Sequence, residues 1–178
     1  FAWLKGLGAR FSLYKVCSTF DSAPHVGSIG RAIEIGRRVL GQQVTPLVVG
    51  APQLKRYTAF GHLFAGYQGK TYRIDRHPVM SRHPVTPMDE ADLALHLARQ
   101  TDLPVHLVPA NLVSDDAAVD ATVASAPGIV LLDGFDMATQ MAVGSQLLRL
   151  AARLGPFVAG SSGVNYALVR AMGAERVS

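Results

Sequence analysis

The sequence predicts an α/β fold: a mostly parallel sheet of about five strands with helices on both faces and an inserted β-hairpin. Short apolar runs alternate with segments of helical period, and each alternation adds one βα unit. Between Ala51 and Arg82 the alternation stops, because Pro52, Gly61, Gly66, Gly69 and Pro78 interrupt a stretch that has no long helical period. The composition agrees: 178 residues, 49% of them hydrophobic and 17% charged, are enough for one well-buried core and too few for two ordinary domains. The expectation is one domain over 1–178 that begins mid-fold, with the hairpin insertion at about 57–82.

The first ten residues, FAWLKGLGAR, read as the last turns of a helix ending at Gly8. Phe11–Cys17 follows as a buried strand, in which the single cysteine, Cys17, is expected to be a small packed side chain. Ser18, Thr19, Asp21 and Ser22 come just past its carboxyl end, where open α/β sheets place ligands. Gly27, Ser28 and Gly30 then open a helix, Ser28–Leu40, with Ile29, Ala32, Ile33, Gly36 and Leu40 on one face; its free N–H groups are expected to face the same crevice.

Thr45–Val49 reads as the next strand. Leu63–Tyr67 and Lys70–Ile74 form the hairpin, turning at Gln68–Gly69. Thr86–Pro87–Met88–Asp89 reads as a helix start, with Thr86 as cap, Pro87 at the first helical position and Asp89 bonding back; this helix runs to Gln100 and buries Leu93 and Leu97. Val105–Val108, Ile129–Leu132 and Phe157–Ala159 complete the strands, and the last of them leads into the turn Gly160–Ser161–Ser162–Gly163 and a helix.

Several residue types suit the recognition of a small polyhydroxylated anion. Asp21 can accept hydrogen bonds from two substrate hydroxyls, or can cap its own loop as an Asx-turn. Ser18 and Thr19 carry the same two readings. The tripeptide Arg-His-Pro occurs twice, at Arg76–His77–Pro78 and Arg82–His83–Pro84; proline pushes each preceding histidine into extended backbone, so both imidazoles are expected to project from a stiff ligand loop. The turn Gly160–Gly163 outlines an anion cradle but lacks the lysine of a P-loop, and reads equally as a tight βα turn. Asp133 is either a site carboxylate or a loop cap.

Other function classes are disfavoured. No apolar run is long enough to cross a bilayer and no signal-peptide pattern is present, so a cytoplasmic protein with no membrane partner is expected. The net charge is +4, yet the basic residues are scattered and lack interleaved aromatics, which argues against nucleic acid. No metal site is expected, because neither a second cysteine nor a helical His-x-x-x-His pair accompanies the histidines.

The segments KVCSTFDSAPHVGSIGRAIEIG, YTAFGHLFAGYQGKTYRIDRHPVMSRHPVTPMDEADL and VAGSSGVNYAL together resemble the N-terminal, sugar-binding domain of the four-carbon acid sugar kinase family, from Leu13 to about Met172. Such kinases transfer the γ-phosphate of ATP to the terminal hydroxyl of threonate, erythronate or 3-oxo-tetronate. The resemblance implies that Lys15, Ser18, Thr19, Asp21 and Ser22 line a sugar-acid crevice, with His83, Thr86 and Met88 near it. In such a crevice Lys15 and arginines of the Arg76–Arg82 loop, Arg82 among them, are expected to hold the carboxylate. Gly160, Ser161, Ser162 and Gly163 would lie beside the crevice or at a domain junction.

Two family features are absent from this sequence: an Asp-Asp-x-Thr-Gly-Ala loop and a C-terminal nucleotide-binding domain. ATP and Mg²⁺ are therefore expected to act in the full-length enzyme and not to bind this piece alone, which is expected to hold a small-molecule sugar acid weakly without catalysis. The residues do not identify a catalytic base. A non-catalytic sugar-acid or sugar-phosphate binding module is the alternative, and the hairpin region is a candidate homodimer contact.

Overall fold

The computed structural model describes residues 1–125 and 127–173. In chain order the elements are α1 (Ala2–Gly6), β1 (Ser12–Lys15), α2 (Ile29–Leu40), β2 (Val44–Val48), β3 (Arg56–Ala59), β4 (His62–Tyr67), β5 (Lys70–Arg73), α3 (Leu93–Ala98), β6 (Val105–Val108), α4 (Asp116–Ala124), β7 (Gly128–Leu132), α5 (Met137–Leu154), β8 (Phe157–Gly160) and α6 (Ser162–Ala171). A five-stranded parallel sheet runs β1-β8-β2-β7-β6, and a three-stranded antiparallel sheet runs β3-β4-β5.

The parallel sheet is buried on both faces, which is why every residue of β2 and β7 is buried and neither strand alternates polar with apolar. On one face Ile29 and Ile33 of α2 and Leu93 and Leu97 of α3 pack on Leu47, Ile129 and Phe157. On the other, Val119 of α4, Leu147 of α5 and Val164 of α6 pack on Val48, Val130 and Val158. Two glycines permit this closeness. A Cβ on Gly36 of α2 would lie 2.2 Å from the Phe157 ring, and one on Gly144 of α5 would lie 2.1 Å from the Ala167 carbonyl oxygen of α6.

Pro46 occupies a central strand, where it has no N–H to give the ladder. The β2–β8 pairing accordingly begins only at Leu47 and Val48. Below that point the buried Gln42 amide does the joining: its Oε1 accepts from Phe157 N at 2.9 Å, and its Nε2 donates to the Phe157 and Val44 carbonyls at 2.8 and 2.6 Å.

The expected hairpin is present, with Gln68 and Gly69 both at positive φ in a two-residue turn. It belongs to a larger unit than expected, because β3 adds a third strand through a second turn at Phe60 (φ 49°) and Gly61 (φ 77°). The helix expected from Thr86 begins instead at Leu93. Asp92 is its cap, its Oδ1 accepting from Ala94 N and Leu95 N at 2.8 and 3.1 Å. The residues between Thr86 and Asp92 stay out of the helix because they bond elsewhere: Met88 N donates to Met80 O at 2.9 Å, and Leu63 N to Ala91 O at 3.0 Å. Asp89 does not bond back to Thr86; it pairs with Arg99 at 2.7 Å.

Candidate functional site

The loop after β1 is built around Phe20. This residue is fully buried at φ 57°, closes a turn by donating its N–H to Cys17 O at 3.1 Å, and lays its ring 5.9 Å from that of His96. Burying a phenyl ring, worth about 2–3 kcal/mol, offsets the cost of a left-handed conformation in a residue with a Cβ. The turn leaves Cys17 exposed rather than packed, since the strand ends at Lys15 and the chain has already bent away from the sheet.

Beyond Phe20 the chain meets the loop after β5. Asp21 Oδ2 accepts from Thr86 Oγ1 at 3.2 Å, and Asp21 Oδ1 accepts from Thr19 Oγ1, which also lies 2.9 Å from Cys17 Sγ. Thr86 N donates to His83 Nδ1 at 3.1 Å, which makes that nitrogen an acceptor, and Thr86 Oγ1 lies 3.0 Å from it. Thr19 and Thr86 are buried, while Asp21 and His83 keep partial access. Asp21, Thr86, Thr19 and His83 thus form one polar cluster at the carboxyl end of β1. Lys15 and Arg82 are exposed and pair with no described carboxylate, Ser18 is half-buried, and Met88 is wholly buried in the core.

Ser22 turns inward. Its Oγ lies 2.9 Å from His96 Nε2, receives a hydrogen bond from Gln100 Nε2 at 2.9 Å, and reaches Phe20 O at 3.1 Å. Burial, and then the neighbouring Arg99 charge, push the His96 pKa below the usual imidazole value. Gln100 also corrects the expectation that α2 presents open N–H groups. Its Oε1 accepts from Ile29 N and Gly30 N at 2.8 and 3.2 Å, and Ser28 Oγ accepts from Arg31 N. The first turn of α2 is therefore capped, with no free anion cradle. A pocket of about 280 Å³ lies beside this junction, lined by Ser22, His25, Pro87, His96, Arg99 and Gln100 among others.

The remaining candidates lie apart from this cluster, most of them bonded within the fold. His77 does not project: it is buried edge-on against Tyr67 and Tyr72, and its Nδ1 accepts from Val79 N and Met80 N at 3.2 and 3.1 Å. Burial and the Arg56 charge lower its pKa. Arg76 pairs with Asp75. Ser161 is fully buried as the cap of α6, accepting from Gly163 N at 2.9 Å and donating to Val49 O at 2.7 Å. A Cβ on Gly160 would stand 2.1 Å from Val48 O, and one on Gly163 would stand 1.9 Å from Gly50 O, so the Gly160–Gly163 turn is a packed joint between strands. Ser162 alone keeps partial exposure. Asp133, also fully buried, accepts from Gly61 N at 3.3 Å and Ala110 N at 3.2 Å, pinning the β3–β4 turn to the loop after β6; desolvation raises its pKa.

A larger cleft of about 410 Å³ beside Arg37, Arg38 and Gln43 sits before β2, at the opposite end of the strands from the Asp21 cluster. Arg37 is already bonded to the Gln42 and Gln43 carbonyls. No helix is long and apolar enough to cross a membrane among the described residues.

A family model described as a sugar-binding N-terminal domain matches residues 1–168. The chain is 52% identical over 170 residues to a 3-oxo-isoapionate kinase from Paraburkholderia graminis, covering 94% of this chain and 36% of that protein. It is 30% identical over 178 residues to a 3-oxo-tetronate kinase from Methylobacterium radiotolerans, covering 97% and 39%. The chain thus spans less than two-fifths of the length of these curated relatives. Among solved structures it resembles a Salmonella typhimurium LT2 protein, with a TM-score of 0.83, 25% identity and coverage of 99% of this chain and 41% of that one. A Haemophilus influenzae protein superposes with a TM-score of 0.82 at 24% identity, covering 98% and 41%, which speaks for the fold.

Proposed function

This chain belongs to the family of sugar-binding N-terminal domains, and from that premise we propose that it is the acceptor-binding part of an ATP-dependent kinase acting on a small sugar acid. The substrate class follows from the relatives, whose names specify 3-oxo-isoapionate and 3-oxo-tetronate. A hydroxylated ligand of four or five carbons with an anionic end suits an acidic, hydroxyl-rich cluster flanked by cations.

The observation that carries the reading is the junction of Asp21 with Thr86 at 3.2 Å, across 65 positions of sequence. Two loops that sequence alone marks as polar meet at the carboxyl end of β1, where ligands of open α/β sheets bind. In this reading the free lone pairs of Asp21 accept from ligand hydroxyls, His83 offers its Nε2–H, and Ser18 adds a hydroxyl. Lys15 and Arg82 supply the positive field for the carboxylate. Phosphoryl transfer is mostly positioning plus charge neutralisation. This part accordingly orients the acceptor alcohol, while ATP and Mg²⁺ are held by the remainder of a relative-length polypeptide.

The test is a phosphoryl-transfer assay on a relative-length protein carrying this sequence, with 3-oxo-isoapionate and 3-oxo-tetronate as acceptors. Transfer from ATP to either supports the proposal. Acceptor binding without transfer by that intact protein would favour a non-catalytic binding module, and no binding of either would remove the sugar-acid reading.

A further inference from the structure

Beneath the Asp21 cluster lies a junction that the sugar-acid reading leaves without a role. His96 sits on the buried face of α3 between Leu93 and Leu97, and Gln100 follows the end of that helix. Neither side chain hydrogen-bonds to Asp21, Thr86 or His83, yet both reach Ser22, the residue after Asp21. Gln100 spends its oxygen on the first two N–H groups of α2, which fixes its amide orientation. Its nitrogen must therefore donate to Ser22. Gln100 Nε2 also lies 3.1 Å from His96 Nε2, and because an amide nitrogen only donates, His96 Nε2 faces it as an acceptor; Ser22 Oγ, 2.9 Å from both nitrogens, closes the triangle. His96 Nδ1, on the other side of the ring, is buried without a partner among the described residues.

We propose that His96 and Gln100 are positioning residues of the candidate site, acting through Ser22 to hold the Ser18–Ser22 loop so that it presents Asp21 to the ligand. The proposal rests on the sugar-acid reading for the identity of the ligand, and on the geometry alone for the loop. Three elements share the junction: the end of α3, the start of α2 and the loop after β1. A change at either side chain loosens the loop without touching a ligand-facing atom.

Cys17, exposed and the single cysteine of the chain, reports the loop because Thr19 and the Phe20 turn tie it to Asp21. The experiment measures iodoacetamide alkylation of Cys17 in wild type, His96→Leu, His96→Gln and Ser22→Ala, beside calorimetric titrations with erythronate and 3-oxo-tetronate. Loss of one hydrogen bond to Ser22 is expected to speed alkylation by about tenfold in His96→Leu and Ser22→Ala and to weaken erythronate binding by a similar factor. His96→Gln, whose amide oxygen can replace Nε2 as the acceptor, is expected to restore both.

Dividing the wild-type alkylation rate by that of His96→Gln at each pH cancels thiolate ionisation. The ratio is expected to rise as pH falls below the ordinary imidazole range, where a proton gained on His96 Nε2 sets the ring and the Gln100 amide against each other as two donors. The charged groups facing His96 are Arg99, Asp89, Glu90 and Asp21, with His25 lining the same pocket. Unchanged alkylation in both His96→Leu and Ser22→Ala, or a His96→Gln variant as reactive as His96→Leu, would overturn the proposal. Should His96→Leu fail to fold, Ser22→Ala and the pH ratio decide it. A wild type that ignores erythronate and 3-oxo-tetronate alike overturns the ligand reading, while the alkylation rates still judge the positioning role.

Discussion

Gln100 caps Ile29 from outside the helix that Ile29 begins: its Oε1 accepts the Ile29 N–H at 2.8 Å, with the Gly30 N–H second at 3.2 Å. A helix start that looks open in sequence is closed by a residue 71 positions away. The positive end of α2 therefore anchors the fold rather than a ligand.

Gln100→Ala removes the acceptor of two helix N–H groups and the donor to Ser22. The expected loss is about 1–3 kcal/mol, because the first turn of α2 can recover only part of this bonding from water. In a chain of this length that corresponds to a fall in Tm of roughly 2–12 °C. Urea unfolding followed by circular dichroism checks it.

Gly163→Ala tests the joint at the ends of β2 and β8. Its Cβ would stand 1.9 Å from Gly50 O, a backbone atom flanked by buried strands, so relief requires the strand and α6 to separate. The expected cost is about 3 kcal/mol or more, although alanine is the better helix former. Soluble yield and Tm both report it. A variant as stable as wild type would mean that the Gly160–Gly163 turn is looser than its packing indicates.

His96 should make the protein acid-sensitive above the range of carboxylate titration. Its folded pKa lies below the ordinary 6.5, so the unfolded chain takes up the proton first, and falling pH favours unfolding. Stability is expected to be full above about pH 6.5 and to decline below it until the folded-state ring protonates. His77 acts in the same direction for the same reason, so His96→Gln should remove one part of the slope and leave the other. Unfolding free energies measured between pH 5 and 8 check this, with the slope of the variant the smaller.

Much of the frame was legible because parallel strands buried on both faces write themselves as uninterrupted apolar runs; Ile129–Leu132 is the plainest case. Strand β3 was not, because its turn uses Phe60 at positive φ in place of the Asn or Asp that marks such turns. The helix start at Thr86 was misread for a related reason. Thr-Pro carries a capping signature, but tertiary partners claimed Thr86 for Asp21 and His83, leaving the cap to Asp92. Among the site candidates, spacing identified which residues were polar and not which way they turned. Asp21 faces Thr86, whereas Ser22 beside it faces inward. His96 and Gln100 went unnoticed, although a histidine between Leu93 and Leu97 on an amphipathic helix was the available signal.

The central claim is that the Asp21 cluster is where a sugar acid binds. Calorimetric titration of this chain with erythronate, for wild type and for Asp21→Ala, tests it most directly. The account predicts measurable binding by wild type and a loss of at least about tenfold in Asp21→Ala, as expected when a carboxylate that accepts ligand hydroxyls is removed. Equal affinity in the two proteins, with both folded, would contradict it.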